Sequence, residues 1–236
     1  MKVAVILPAA GLGTRMGKGT AEKAGTSRKQ FMLLDGAPIL IHTLRKFIAC
    51  PRVDEIVVSL RPDDLDWFRA EMEREKPAKP VRLVGGGQYR QDSVKNGLAH
   101  VSPDVDLVAV HDAVRPFVSV ALIENVIQAA AATGAAILAI PPVDTVKQVD
   151  RTLIRGTLSR DRIVLAQTPQ VFRIDLLRRA YQQAEQDEFV GTDEASLVEH
   201  LDVDVTVVMG SDRNIKITRP GDMALARLFL EESRSE

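Results

Sequence analysis

Short apolar runs that alternate with amphipathic segments constrain the fold of this chain more than any other feature. The apolar runs are residues 3–9, 55–60, 81–84, 107–111, 135–140 and 203–208. Several are apolar throughout, which is typical of parallel strands buried on both faces. Between them, apolar residues recur at helical spacing within residues 40–48, 122–130 and 176–184. The alternation predicts a three-layer α/β fold with a mostly parallel sheet that places ligands at the carboxyl ends of its strands.

One stretch departs from this alternation. Residues 141–150 and 152–158 are β-prone runs joined at Asp150-Arg151, with no helical segment between them. This pattern favours a projecting β-hairpin over another strand–helix–strand unit. Because an isolated hairpin is marginally stable in water, we expect this arm, at about residues 141–164, to pack on a second subunit.

Length and composition exclude several classes of protein. The 236 residues, 45% of them apolar, predict a single domain over 1–236 with a full core. Lys plus Arg number 31 against 32 Asp plus Glu, so no overall field attracts nucleic acid or an anionic membrane. The lone Cys50 excludes an intramolecular disulfide framework and fits a reducing compartment. No signal peptide and no membrane-spanning run is evident, so we expect a cytoplasmic protein with no membrane partner.

The first apolar run ends in a glycine turn. The turn Gly11-Leu12-Gly13-Thr14-Arg15-Met16 is followed, after a glycine-rich stretch that predicts a loop, by Arg28-Lys29-Gln30. Backbone N–H groups of such a turn form an anion-binding concavity, and an added arginine and lysine suit a triphosphate. Met16 replaces the third glycine of a dinucleotide fingerprint, and no Walker loop occurs. A tight strand-to-helix turn without a ligand is the alternative.

A second candidate cluster follows the run 107–111. In His111-Asp112-Ala113-Val114-Arg115-Pro116, the acid and the arginine are placed to face a ligand or to form an internal ion pair. We expect His111 to be packed or hydrogen-bonded rather than a catalytic base. Asp112 is a candidate to touch a nucleotide-bound Mg²⁺. No spacing of His, Cys and carboxylates indicates a metal site, and no metal ligand is assigned.

Three further segments carry polar residues next to predicted elements. Gly85-Gly86-Gly87 precedes a helix start, where it suits close approach of a ligand or a turn capped by Asp92 or Ser93. Residues 192–196 are typical of a helix start. Lys216 lies between apolar residues on a predicted short strand, from which it either extends to solvent or faces a polar site.

Taken in order, these motifs resemble the 2-C-methyl-D-erythritol 4-phosphate cytidylyltransferases of the non-mevalonate isoprenoid pathway. The matching pieces span nearly the whole chain: Ala9-Ala10-Gly11-x-Gly13-x-Arg15-Met16, Lys29-Gln30, Gly86-Gly87 with Arg90 and Ser93, His111-Asp112-Ala113-x-Arg115-Pro116, Asp144-Thr145-x-Lys147, Thr168-Pro169-Gln170, Thr192-Asp193-Glu194-Ala195-Ser196 and Asn214-Ile215-Lys216-x-Thr218-Arg219-Pro220. Single motifs occur in other nucleotidyltransferases, but the ordered set is specific.

The resemblance implies a Rossmann-like nucleotidyltransferase core, and a homodimer that exchanges its arm. It also implies transfer of a cytidylyl group from CTP to 2-C-methyl-D-erythritol 4-phosphate, with Mg²⁺ held mainly through the CTP phosphates. The implied catalytic residues are Arg15, Lys29, Arg160 and Lys216. The implied nucleotide-binding residues are Ala9, Ala10, Gly11, Gly13, Gly87, Ser93 and Ala113. The implied substrate-binding residues are Asp112, Arg115, Thr145, Thr168 and Thr192, with Thr145, Arg160 and Thr168 reaching the neighbouring subunit's site.

Three other functions stay open at this point. A ribitol-5-phosphate cytidylyltransferase shares the same triphosphate-binding turn. A uridylyl- or guanylyltransferase shares the opening loop, although residues 86–93 and the arm argue against it. A catalytically silent nucleotide-binding protein is disfavoured because binding alone does not demand cations at both ends of the site.

Overall fold

The computed structural model describes residues 1–11 and 28–235. Its strands are β1 (Val3–Pro8), β2 (Leu33–Leu34), β3 (Ala37–Pro38), β4 (Glu55–Leu60), β5 (Val81–Gly85), β6 (Leu107–Val110), β7 (Ala135–Ile140), β8 (Lys147–Asp150), β9 (Leu153–Thr157), β10 (Leu165–Arg173) and β11 (Thr206–Met209). Its α-helices are α1 (Ile39–Ala49), α2 (Leu65–Glu75), α3 (Arg90–Ala99), α4 (Val120–Thr133), α5 (Ile174–Gln186), α6 (Glu194–Glu199) and α7 (Pro220–Ser235). Short 3-10 helices span Lys29–Phe31, Pro62–Asp64 and Arg160–Arg162.

Seven strands form the central sheet, in the order β11-β7-β10-β6-β1-β4-β5. All six apolar runs became strands of this sheet, with ends shifted by up to three residues. The pairs on either side of β1 are parallel, as expected, and so is the edge pair of β11 with β7. The seventh strand, β10, was not predicted, and it runs antiparallel to both β6 and β7. The fold is therefore mixed but mostly parallel.

Helices cover both faces of the sheet, which confirms the three predicted layers. In β1, Val3, Val5 and Leu7 pack into a core shared with α1 and α4. The alternating residues Ala4 and Ile6 pack into the opposite core, shared with α3 and α5. All five of these side chains are at most 1% exposed, as an apolar run between two helical layers requires.

The predicted β-hairpin is present. Strands β8 and β9 pair antiparallel in a separate two-stranded sheet, and their turn is Arg151-Thr152, one residue later than expected. Three of its large apolar side chains are more than half exposed: Val149 at 59%, Leu153 at 59% and Ile154 at 64%. The arm thus presents an apolar surface away from the two cores.

Two local predictions have different outcomes. The prediction of a short strand around Lys216 is wrong, because residues 214–218 form no β-ladder. The backbone of this segment is instead held at Ile217, whose N–H donates to Val114 O at 3.0 Å. The loop expected after Met16 lies outside the described residues, except for Arg28, which forms an ion pair with Asp64.

Candidate active site

A cavity of about 220 Å³ opens at the carboxyl ends of β1, β5 and β6. Ligand sites of open α/β sheets are expected at this edge. The cavity brings together nine residues that the sequence singled out: Ala9, Ala10, Gly11, Lys29, Gly87, Ser93, Asp112, Ala113 and Lys216. It therefore joins the glycine turns to the cluster after β6.

The turn after β1 is held in place by Gln30. This side chain is 2% exposed, and its Nε2 donates to Ala9 O at 2.6 Å and to Gly11 O at 3.2 Å. The Ala9 N–H donates to Ser59 O at 2.8 Å, which ties the same turn to β4. Lys29, the neighbour of Gln30, is thereby carried on a segment anchored against the turn.

The glycine turn after β5 is compact. The Gly86 N–H donates to Leu60 O at 2.6 Å, and the Gly87 N–H donates to the Ser93 hydroxyl at 3.1 Å. The Ser93 hydroxyl in turn donates to Tyr89 O at 3.0 Å. Ser93 is thus buried as the residue that shapes this turn, next to the cavity.

Replacing Gly86 by alanine is expected to destabilise the protein by about 1–3 kcal/mol, the usual cost of overpacking. A Cβ at Gly86 would lie 2.4 Å from Ala10 Cβ and 3.1 Å from Ser93 Oγ, so the two walls of the cavity would have to separate. Gly85→Ala is the matched control, because a Cβ there meets nothing within 4 Å. Urea unfolding of the two variants measures the difference, and equal stabilities would contradict the predicted clash.

Asp112 is the electrostatic centre of the site. Its side chain is 7% exposed and is contacted by three cations. Lys216 Nζ lies 2.9 Å from Oδ2, Arg115 Nε lies 3.2 Å from Oδ2, and Arg90 Nε lies 3.3 Å from Oδ1. Arg115 Nη1 also donates to Asn214 O at 2.7 Å, which orients its guanidinium.

The charges of this cluster stabilise one another. Burial opposes ionisation of Asp112, but the positive charges of Lys216, Arg90 and Arg115 outweigh it and hold the pKa of the carboxyl well below its usual range. Burial likewise opposes the charged form of Arg90, but Glu194 and Asp112 outweigh it and raise the pKa of the guanidinium. Asp112 is therefore an anion and Arg90 a cation at every physiological pH.

His111 is a neutral hydrogen-bonded residue, as expected. Its Nε2 lies 3.0 Å from Arg115 O, and its Nδ1 lies 3.1 Å from Thr168 Oγ1. The Thr168 hydroxyl accepts from the Asp112 N–H at 3.0 Å, so it can donate its own proton to Nδ1. Burial is the main cause that lowers the pKa of His111 to about 4.

We expect the free energy of unfolding to fall as the pH drops from 6.5 to 4. The unfolded chain binds a proton at His111 near pH 6.5, whereas the folded protein binds it only near pH 4. The loss attributable to His111 is about 3 kcal/mol. Urea unfolding across this range measures it, and NMR titration of the imidazole assigns it. A His111 that titrates near pH 6.5 in the folded protein would contradict the prediction.

The remaining predicted site residues lie elsewhere. Arg115 lines an adjoining open cavity of about 380 Å³, which it shares with Lys216. Thr145, Arg160 and Thr192 are exposed, the first two on the arm, where Arg160 Nη1 donates to Val143 O at 2.6 Å. Gly13 and Arg15 lie outside the described residues.

The expectation that Thr168 reaches a neighbouring subunit's site is wrong. Its side chain is only 4% exposed and is hydrogen-bonded to His111 and Asp112 of its own chain. Thr168 is buried because it lies on β10, a strand that was not predicted. The pairing of β10 with β7 is interrupted between Ala166 and Gln170, and this irregular part of the strand places Thr168 beneath the site.

Sequence reasoning assigned no role to several residues that build the site. Arg90, Gln30 and Glu194 were noted only as parts of the motifs. Arg90 joins two carboxylates, through the contact with Asp112 and through a hydrogen bond from Nη1 to Glu194 Oε1 at 2.8 Å. The available signal was an arginine three residues after Gly87, at the point where a helix begins beside the predicted ligand site.

Comparison with known proteins decides the family. The family model of 2-C-methyl-D-erythritol 4-phosphate cytidylyltransferase matches residues 3–232. The chain belongs to this family. A 2-C-methyl-D-erythritol 4-phosphate cytidylyltransferase from Solibacter usitatus is 64% identical over 98% of this chain and 97% of its own length. One from Acidobacterium capsulatum is 50% identical, with both chains fully covered.

Solved structures of the family have the same fold. The crystal structure of 4-diphosphocytidyl-2C-methyl-D-erythritol synthase from Anaerococcus prevotii matches with a TM-score of 0.85 at 33% identity. The match covers 98% of this chain and 96% of that one. The predicted family, the nucleotidyltransferase class and the α/β nucleotidyltransferase fold are therefore confirmed.

The described part of the site is poorly suited to hold Mg²⁺ by protein ligands. Within residues 1–11 and 28–235, no three His, Cys, Asp or Glu side chains are grouped as a metal site would need. Asp112, the candidate metal contact, has both oxygens engaged by Lys216, Arg115 and Arg90.

Among the helices of residues 1–11 and 28–235, none is long and apolar enough to cross a bilayer.

Proposed function

We propose that this protein transfers a cytidylyl group from CTP to 2-C-methyl-D-erythritol 4-phosphate, which yields 4-diphosphocytidyl-2-C-methyl-D-erythritol and pyrophosphate. One observation carries the proposal. The two glycine turns line the same cavity as Lys29, Arg90, Lys216 and Asp112. Membership of the cytidylyltransferase family supports the identity of both substrates.

The two cavities suit two substrates. The first lies between the glycine turns, where small residues let a phosphate approach the backbone closely and the positive charge of Lys29 suits the triphosphate of CTP. The second is lined by Arg115, Lys216 and Arg219, whose positive charges suit a phosphate monoester, and also by the carboxylates of Asp212 and Asp222. Lys216 lines both cavities and is thus placed where the two anions must meet.

The reaction needs positioning and charge stabilisation rather than a strong base. An oxygen of the acceptor phosphate, already anionic near neutral pH, attacks the α-phosphorus of CTP. A new phosphorus–oxygen bond forms as the bond to the β-phosphate oxygen breaks, and pyrophosphate leaves with that electron pair. Cations that are already in place reduce the repulsion between the anions and stabilise the charge that develops during transfer.

We assign the roles as follows. Arg15 and Lys29 stabilise charge on the triphosphate, Lys216 orients the acceptor phosphate, and Arg160, on the arm, does the same in the neighbouring subunit's site. The nucleotide is held by Ala9, Ala10, Gly11, Gly13, Gly87, Ser93 and Ala113. The acceptor is held by Asp112, Arg115 and Thr192. Thr168 contributes by accepting a hydrogen bond from the Asp112 N–H, and Thr145, on the arm, contributes to the neighbouring subunit's site. Mg²⁺ would be held mainly through the phosphates of CTP, where it would neutralise negative charge, and no step is assigned to a metal ligand of the protein.

We also propose a homodimer, with residues 1–236 as one cytidylyltransferase domain and the arm at about 141–164 as its contact. Support comes from the apolar side chains of Val149, Leu153 and Ile154, which are more than half exposed on a two-stranded hairpin. Sedimentation equilibrium of the natural sequence and of Ile154→Lys tests this, and a monomeric natural protein would refute it. A cytoplasmic location is part of the proposal, supported by the single cysteine.

Pyrophosphate release from CTP and Mg²⁺ tests the function. 2-C-methyl-D-erythritol 4-phosphate and ribitol 5-phosphate are compared side by side as acceptors, and GTP and UTP are compared with CTP. Preference for CTP with the methylerythritol phosphate is the expected result. Preference for ribitol 5-phosphate, or CTP binding without turnover, would overturn the proposal in favour of one of the other functions considered above.

A further inference from the structure

Glu194 is a buried carboxylate to which the proposed reaction gives no role. Its side chain is 1% exposed, at the first position of α6. Its Oε1 accepts hydrogen bonds from Arg90 Nη1 at 2.8 Å and from the Tyr181 hydroxyl at 3.1 Å. Its Oε2 is buried and has no hydrogen-bond partner among the described residues. An unsatisfied buried carboxylate oxygen costs folding free energy, so stability alone does not explain a glutamate here.

Arg90 connects Glu194 to the cavity. Its guanidinium lies between two carboxylates, with Nη1 toward Glu194 and Nε at 3.3 Å from Asp112 Oδ1. The donors of a guanidinium form a rigid planar fork, so fixing one end sets the direction of the others. The side chain is 29% exposed and lines the cavity, whereas Glu194 does not. Arg90 is therefore the direct contact through which Glu194 can act on a bound substrate.

We propose that Glu194 is a positioning residue that, through Arg90, sets the orientation of the Asp112 carboxylate, and with it the position of Lys216 and Arg115 and the affinity for the acceptor. Tyr181 holds the Glu194 carboxylate in place. The inference rests on the proposed function, in which Asp112 contacts the acceptor. Arg90 and Asp112 line the first cavity, but Asp112 also contacts Lys216 and Arg115, which line the second, so the relay reaches the acceptor through these two cations. The turns that hold the nucleotide are anchored separately, by Gln30 and Ser93, and neither of these forms a hydrogen bond with Glu194 in the contacts described above.

Steady-state kinetics of Glu194→Gln separate this role from a structural one. The glutamine keeps the shape and removes the charge. We expect the KM for 2-C-methyl-D-erythritol 4-phosphate to rise about tenfold, within the range for coupled neighbours, with the KM for CTP changed by less than about twofold. Glu199→Gln, at an exposed position of the same short helix, is the matched control and should leave both constants unchanged. Equal changes in both constants, or none, would overturn the inference.

A double-mutant cycle tests whether Glu194 acts through Arg90. In an Arg90→Lys background, Glu194→Gln should change the acceptor KM by less than about twofold, because the connection is already broken. Additive effects would refute the relay. If Glu194→Gln fails to fold, Tyr181→Phe replaces it, since this change removes the hydrogen bond to Glu194 and keeps the Arg90–Glu194 ion pair. We expect Tyr181→Phe to raise the KM for the acceptor by about threefold without changing the KM for CTP. An unchanged KM for the acceptor would refute the relay.

Crystal structures keep this inference separate from the proposed function. Failure of the natural sequence to turn over CTP and the methylerythritol phosphate would refute the function. The relay would then be judged on the structure of Glu194→Gln. An Arg90 Nε displaced from Asp112, with a reoriented Asp112 carboxylate, supports the relay. An unmoved Arg90–Asp112 pair overturns it.

Discussion

Lys29→Ala is expected to lower kcat/KM for CTP by about 10²–10³-fold, the usual cost of losing one preorganised charge-stabilising donor. Lys29 begins the 3-10 helix Lys29–Phe31 and lines the cavity beside the turn after β1. Because Gln30 anchors that turn through its side chain, the substitution removes a charge from the site while leaving the turn in place. Pyrophosphate release under steady-state conditions measures the loss.

The comparison requires a lysine that can be removed without consequence. Lys95 is exposed on α3 and pairs with Glu185 at the surface, so Lys95→Ala should retain full activity and nearly full stability. Thermal unfolding of both variants checks that any loss in Lys29→Ala reflects chemistry rather than folding. A folded Lys29→Ala with the kcat/KM of the natural sequence would rule out the role assigned to Lys29.

Asp112→Asn is expected to impair both folding and turnover. The amide keeps the shape of the side chain, but Lys216, Arg115 and Arg90 lose their shared counter-charge. Removing one partner of a buried ion pair leaves uncompensated charge, and we expect the free energy of unfolding to fall by about 3 kcal/mol. The three cations then move apart, and a displacement of this kind lowers kcat/KM for the acceptor by about 10²-fold.

Urea unfolding and acceptor kinetics of Asp112→Asn measure the two effects separately. Asp175→Asn is the control, since Asp175 forms an exposed ion pair with Arg173 at 3.6 Å and surface pairs contribute little. A stable Asp112→Asn with unchanged acceptor kinetics would show that the cations do not depend on Asp112. A stable variant with impaired kinetics would restrict the role of Asp112 to substrate binding.

The strand that sequence reasoning missed shows where local patterns stop being informative. Strand β10 contains Gln167, Thr168 and Gln170, polar residues that are not typical of a buried strand. Gln170 is nevertheless 1% exposed, because its Oε1 accepts from the Ala195 N–H at 3.0 Å and its Nε2 donates to Asp193 at 2.7 Å. Both partners come from a distant segment, so the periodicity around Gln170 could not reveal them.

The site was predictable to the extent that its parts follow single strands. The glycine turns after β1 and β5 and the acid after β6 were recognised because each comes directly after an apolar run, and parallel strands bring such ends to one edge. Lys216 belongs to no strand, and the strand predicted for it was wrong, yet its ammonium lies 2.9 Å from Asp112. The position of Lys216 depends on the segment after β11, which crosses the edge of the sheet where the parallel strands end.

Local sequence thus accounts for the two helical layers, the strands buried between them, the arm and the glycine turns, because burial periodicity and backbone sterics act within a few residues. The antiparallel β10, the burial of Thr168 and the charge cluster of Asp112 with Arg90, Arg115 and Lys216 arose only from the folded arrangement. Hydrogen bonds and Coulomb interactions act through space, so these groups acquired their partners, and Asp112 its low pKa, only once the sheet had brought distant segments together.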